Sequence, residues 1–155
     1  MAARPDQKVL GYLGRALSLE LSAVQQYSTQ ARLVAAWGLN EAAASFGNEA
    51  AEELQHANRI IDRMLAIGVA PNGSQLRPVR LADNLSALLG LNQQLEADII
   101  QLYHSAAQYC ANVGDQDNRM FFEELLRDEQ QHYTELETWM NRLRQVQQPH
   151  YGNGR

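Results

Sequence analysis

Two stretches decide how this chain of 155 residues folds: EELQHANRIIDRML at 52–65 and LLRDEQQHYTELET at 125–138. Each contains Glu-x-x-His, as Glu53 with His56 and Glu129 with His132. Residues three apart lie on one face of a helix, so each pair points the same way. Apolar residues continue that face at steps of three and four, through Ala57, Ile60 and Met64 in the first stretch and Phe122, Leu125, Leu136 and Trp139 in the second. With 4 His in the chain, roughly 0.3 such motifs are expected by chance, so a repeated motif on two apolar stripes carries weight.

Working outward, both stretches belong to long helical segments. Breakers are few and sit between them. WGLN at 37–40 and NVGDQD at 112–117 read as tight turns, with Gly38 as a C-cap and Asn40 as an N-cap in the first. VAPNGSQLRP, from Val69 to Pro78, marks a longer extended connection. Four segments remain, about 6–36, 41–67, 82–112 and 116–146, each near 30 residues and so roughly 40 Å long as a helix. The short turns make two antiparallel hairpins. The connection at 68–81 is long enough to cross the bundle and set the second and third helices parallel. The predicted fold is therefore all-α, a four-helix bundle over about 6–146 with one long crossover and a short tail at 147–155.

The first and third seams read Val9, Leu13, Ala16, Glu20, Ala23, Tyr27 and Leu85, Leu89, Asn92, Glu96, Ile99, Tyr103. All four seams thus carry a glutamate near the middle: Glu20, Glu53, Glu96 and Glu129. Glu20 lies 18 residues before Gly38 and Glu53 lies 15 after it; Glu96 and Glu129 stand 18 before and 15 after Gly114. The four carboxylates should meet in one layer. Seven positions repeat at an offset of 76, among them Glu20 with Glu96, Tyr27 with Tyr103, Glu52 with Asp128 and His56 with His132. The offset implies a pseudo-twofold axis through that layer.

Four buried carboxylates cost many kcal/mol without countercharge, and no Lys or Arg lies on the seams. Two divalent ions would balance them. Two helices giving one Glu each and two giving Glu-x-x-His form the di-iron or di-manganese carboxylate constellation. Glu53 and Glu129 would bridge the metals, Glu20 and His56 would complete one shell, and Glu96 and His132 the other. Hard oxygen ligands with one imidazole per metal suit Fe(II) or Mn(II), and iron is favoured because bridging carboxylates can adjust as Fe(II) becomes Fe(III). Asp128 and Glu52 are placed to accept from His56 and His132 across the axis, and are otherwise solvated carboxylates on the helix flanks. Tyr27 and Tyr103 would hydrogen-bond a ligating carboxylate or donate an electron, and as core tyrosines they need a partner in either case.

Composition narrows the alternatives. The net charge is -5 with a single lysine, Lys8, which argues against a nucleic-acid binder. One cysteine, Cys110, excludes an internal disulfide and a cysteine-held cluster. MAARPDQKVL has no apolar leader and no run approaches 18 apolar residues, so the expectation is no membrane association and a cytoplasmic location. Cys110, Met64, Trp37 and Trp139 read as core packing, and His104 and His150 lack partners. Asp115 and Asp117, at the turn before the fourth helix, are candidate pore acids in an assembly.

With these residues in hand, the chain resembles the bacterioferritins. The resemblance runs from Lys8 to Leu143, through KVLGYLGRALSLELSAVQQY (8–27), ARLVAAWGL (31–39) and the two stretches quoted first. It implies one ferritin-like domain over 1–155. Glu20, Glu53, His56, Glu96, Glu129 and His132 match the family's ferroxidase ligands, and Tyr27 its nearby tyrosine. The implied function is oxidation of Fe(II) by O₂ or H₂O₂ at a two-iron centre in each subunit. Ferric mineral would then be stored in a homo-oligomeric shell of about 24 subunits. Five positions depart from the family. Leu54 stands where the haem-ligating Met is expected, so haem is not expected from this subunit, and a haem-bearing sister subunit would be the source in a mixed shell. Ile60 and Glu135 stand where aromatics are usual, Asn48 where an inner-surface His is usual, and Pro149 cuts the short fifth helix. The competing expectation is a small rubrerythrin-like di-iron oxidase or peroxidase that forms no cage.

Overall fold

The computed structural model describes residues 5–147. Among them are four helices and no strand: α1 (Gln7–Ala36), α2 (Asn40–Ala66), α3 (Leu85–Asn112) and α4 (Gln116–Gln147). Pro149, His150 and the rest of the tail lie outside the described residues.

Local chemistry sets the helix ends. Asp6 starts α1 by accepting from the backbone N–H of Lys8 and Val9 at 2.8 and 3.2 Å. At the first turn Leu39 N–H bonds Val34 C=O at 2.9 Å and Gly38 N–H bonds Ala35 C=O at 3.0 Å. The second turn repeats this with Asp115 on Cys110 and Gly114 on Ala111. Both closures need a left-handed residue, and Gly38 and Gly114 supply it with φ of 83° and 76°. Asn40 is not the N-cap expected for α2. Leu39 precedes the helix without a side-chain cap, because the turn's own backbone bonds already fix the chain there. α3 begins at Leu85 rather than 82, since Asn84 accepts from Ala87 N–H at 2.8 Å and keeps 82–84 in the crossover.

Trp37, expected in the core, lies at the surface, 38% exposed, as does its counterpart at the second turn, Val113, at 49%. Both sit at the last turn of a hairpin's first helix, where the seam has run past its partner. Asp115 accepts from Asn118 N–H at 3.1 Å and from its side-chain amide at 2.8 Å, so it acts as a helix cap.

Pairings across the bundle give its topology. Asp6 meets Tyr109, Glu20 meets Tyr103 and Gln26 meets Asn92, so α1 and α3 are antiparallel. Glu52 meets His132 and Arg63 meets Asn118, so α2 and α4 are antiparallel too. With antiparallel hairpins at each end, α2 and α3 run parallel, as the crossover required. The crossover lies along α1, where Gln75, Arg77 and Arg80 donate backbone N–H to Ser18 Oγ, Ser22 Oγ and Gln26 Oε1 at 3.1, 2.9 and 3.3 Å. The core forms two apolar clusters. One is built around Leu13, Tyr27, Ile60, Tyr103 and Phe122, and the other around Val34, Phe46, Leu88 and Leu136.

Candidate metal centre

Each helix brings one buried carboxylate to the middle of the bundle. Glu20, Glu53 and Glu129 are fully buried and Glu96 is 3% exposed. The seam spacing places them there: each glutamate occupies a core position of its own stripe, so packing the stripes buries all four together. His56 and His132 enter the same layer from α2 and α4. His56 Nδ1 lies 2.8 Å from both Glu20 Oε2 and Glu129 Oε1, and 3.3 Å from Glu53 Oε1. His132 Nδ1 lies 3.5 Å from Glu53 Oε1 and 3.7 Å from Glu129 Oε2. The two imidazoles face each other with centroids 6.0 Å apart.

The ligand-type atoms fall into two groups, each within 4.8 Å: Glu20, Glu53, His56 and Glu129; and Glu53, Glu96, Glu129 and His132. Glu53 and Glu129 are common to both, which is the sharing expected of bridging carboxylates. The outer imidazole nitrogens are held across the axis, His56 Nε2 by Asp128 Oδ2 at 3.2 Å and His132 Nε2 by Glu52. Tyr27 donates to Glu96 Oε1 at 2.5 Å and Tyr103 to Glu20 Oε2 at 3.0 Å, the paired contacts that the offset of 76 implied.

Burial and mutual repulsion set the protonation. Burial first, then the charge of Glu53, pushes Glu20 up to about 8. Burial and Glu20 push Glu129 up to about 7, and burial with Glu129 and Glu53 raises Glu96 well above the carboxylate range. Burial would raise Glu53 as well, but the charged imidazoles of His132 and His56, 3.5 and 3.3 Å from its Oε1, outweigh it and bring Glu53 down to about 2. Burial opposes charge on the histidines. Contacts with Glu129 and Glu20 nevertheless raise His56, and contacts with Glu129 and Glu53 raise His132 to about 12. The metal-free chain therefore draws part of its countercharge from its own imidazolium groups, although its seams carry no Lys or Arg.

Protons alone leave the cluster poorly satisfied. Among the described residues seven buried side-chain polar atoms lack a hydrogen-bond partner, and six belong to this site: Glu20 Oε1, both Glu53 oxygens, Glu96 Oε2, Glu129 Oε2 and His132 Nδ1. Buried polar atoms are ordinarily paired. Five carboxylate oxygens and one imidazole nitrogen converging without donors fit hard divalent cations.

Two nearby residues were missed in the sequence. Glu49, one turn before Glu53 on the same face, is half-buried and raised to about 7, burial being the main cause. Its spacing of four would have found it. Arg59 bonds Glu124 at 3.0 Å and Asp128 at 3.4 Å, a pairing that no local spacing announces.

A family model described as a ferritin-like domain matches residues 10–146. A bacterioferritin of Rhodobacter capsulatus is 39% identical over 133 residues, covering 86% of this chain and 83% of the relative. This chain belongs to the bacterioferritin family. A bacterioferritin of Brucella melitensis is 33% identical over 147 residues, covering 95% of this chain and 91% of its own. Among solved structures, Rhodobacter capsulatus bacterioferritin superimposes with a TM-score of 0.89 at 36% identity, covering 93% of this chain and 90% of that one. That structure is described as having a metal-free dinuclear site and haem iron in a crystallographic special position. The ferritin-like four-helix bundle read from the seams is the fold of this family, and these relatives do not favour the rubrerythrin-like alternative. Among the described residues no helix is long and apolar enough to cross a membrane.

Proposed function

We propose that this chain is a ferroxidase subunit of an iron-storage shell, a single ferritin-like domain over 1–155 acting in the cytoplasm. The observation that carries the reading is the buried layer of four carboxylates and two imidazoles, six of whose polar atoms lack partners. Glu53 and Glu129 would hold both metals, with Glu20 and His56 on one and Glu96 and His132 on the other. Two bound Fe(II) ions supply two electrons, enough to reduce one H₂O₂ to water or one O₂ to H₂O₂. Asp128 and Glu52 fix the outer nitrogens of the two imidazoles, so their inner nitrogens stay aimed at the metals. Tyr27 holds Glu96 in place and offers an oxidisable ring whose proton can pass to that carboxylate.

Bacterioferritin relatives support storage, and storage needs an enclosed volume, so the assembly is a shell of about 24 subunits. It is either homo-oligomeric or mixed with a haem-bearing sister chain. Leu54 is 45% exposed on α2 and offers no sulfur to a haem iron, so the subunit does not hold haem at that position.

The test combines native mass with Fe(II) oxidation followed by ferric absorbance. The expected result is a particle near 24 chains that oxidises Fe(II) rapidly, with Glu129→Ala abolishing the fast phase while helical content stays intact. A wild-type rate in that variant would overturn the site, and a monomer or dimer would overturn storage. A stoichiometric Soret band from this chain alone would overturn the haem assignment.

A further inference from the structure

The pseudo-twofold axis relates the two halves of the site, yet one pair of equivalent positions carries opposite charge. At the offset of 76, Arg59 on α2 corresponds to Glu135 on α4, each three residues beyond its histidine. Both histidines line one open cleft of about 290 Å³ together with Glu52, Asp128 and Glu135. At the His56 end, Arg59 ties up Asp128 and Glu124, so the carboxylate behind His56 is already neutralised. At the His132 end, Glu52 meets no cation but the imidazole, and Glu135 accepts only from the neutral amide of Gln131 at 3.2 Å, among the described residues. Glu49 adds to this end, where its equivalent, Leu125, is a buried apolar residue. Arg142 shares a neighbouring cavity with Glu49 and Glu135 but pairs with neither among the described residues.

Contact geometry breaks the symmetry in the same sense. His56 Nδ1 is held by two carboxylates at 2.8 Å, whereas His132 Nδ1 has no hydrogen-bond partner and is more exposed. One end is charge-balanced, while the other is negative and holds an imidazole nitrogen with no hydrogen-bond partner.

We infer that the two half-sites are unequal, that the half built on Glu96 and His132 binds a divalent cation more tightly, and that Glu135 and Arg59 set this preference. The inference deepens the proposed function and rests on it. Neither residue need touch a metal, because both act through charge. In a water-like dielectric, a unit charge about 9 Å from a divalent ion changes its affinity by roughly fivefold, and two such differences act here, roughly 25-fold together.

Titration of the assembled, metal-free protein with Co(II) tests this without relying on turnover. His56→Ala leaves the His132 half and His132→Ala leaves the His56 half. The first variant should bind its single Co(II) roughly 25-fold more tightly than the second. Adding Glu135→Gln to the first should weaken binding about fivefold, and adding Arg59→Gln to the second should strengthen it about fivefold. Equal affinity in the two half-site variants overturns the inference. Weaker binding on loss of Arg59 also overturns it, because that is the sign expected if Arg59 only props Asp128 against His56. If wild-type protein takes up no Co(II) and Glu53→Ala changes nothing, the metal-centre reading itself fails. Circular dichroism and native mass check that each variant remains folded and assembled.

Discussion

Filling the site with metal should expel about four protons per chain, and the number follows from charge balance. Four ionised carboxylates carry four negative charges, which two divalent ions cancel once both imidazoles are neutral. The metal-free cluster reaches neutrality instead with protons on four of its six groups. The individual groups give a similar count at pH 6.5. Both histidines are raised and protonated, Glu96 is held well up, and Glu20 at about 8 is protonated. Glu53, at about 2, is ionised, and Glu129, at about 7, is more than half protonated. Metal ligation requires all six to release their protons. Calorimetric titration with Co(II) in buffers of different ionisation enthalpy reads the number directly, and a redox-inert ion avoids protons from iron hydrolysis. About four protons for two ions is the expected result. Release of one or none would mean that the carboxylates are already ionised in the metal-free protein, and would refute this account of how burial is tolerated.

The same shifts give the metal-free protein a pH-dependent stability. Glu20, Glu96 and Glu129 are raised in the folded state, as are both histidines, so the fold binds more protons than the unfolded chain. Stability should fall as pH rises from about 5 to about 8, by about 1.4 kcal/mol per pH unit for each excess proton. Thermal melts across that range should show the slope, and Co(II) loading should flatten it. Replacing Asp128 by Ala should weaken the His56 half-site by roughly 10- to 100-fold in a Co(II) titration, since the imidazole loses its orienting partner. Placing a methyl group on Gly73 should cost about 1–2 kcal/mol in chemical unfolding. A Cβ there would lie 2.8 Å from Leu21 Cδ1 and 2.9 Å from Leu17 Cγ, where the crossover presses on α1. An unchanged midpoint would show that the crossover can lift away freely.

The layer of glutamates was legible in the sequence because spacings of three and four name a helix face and rare breakers fix depth along it. Legible for the same reason were the contacts of Asp128 and Glu52, once the halves were aligned at 76. The start of α3 was not, because Asn84 caps only by virtue of where Ala87 falls, and several polar residues nearby offered the same chemistry. Trp37 was misjudged because a seam gives direction around a helix but not where the neighbouring helix stops. The charge state of His56 lay beyond sequence reasoning altogether, since it depends on a carboxylate 73 residues away.

The division of the bundle into two hairpins has a kinetic consequence. Contacts within a hairpin are local and form early, whereas those between hairpins close a long loop and come late. Glu20, Glu53 and His56 belong to one hairpin and Glu96, Glu129 and His132 to the other, so neither half alone offers the full set of ligands. Metal then has little to grip until docking is nearly complete. Cations should leave the refolding rate almost untouched and slow unfolding, clamping together two halves that each assemble without them.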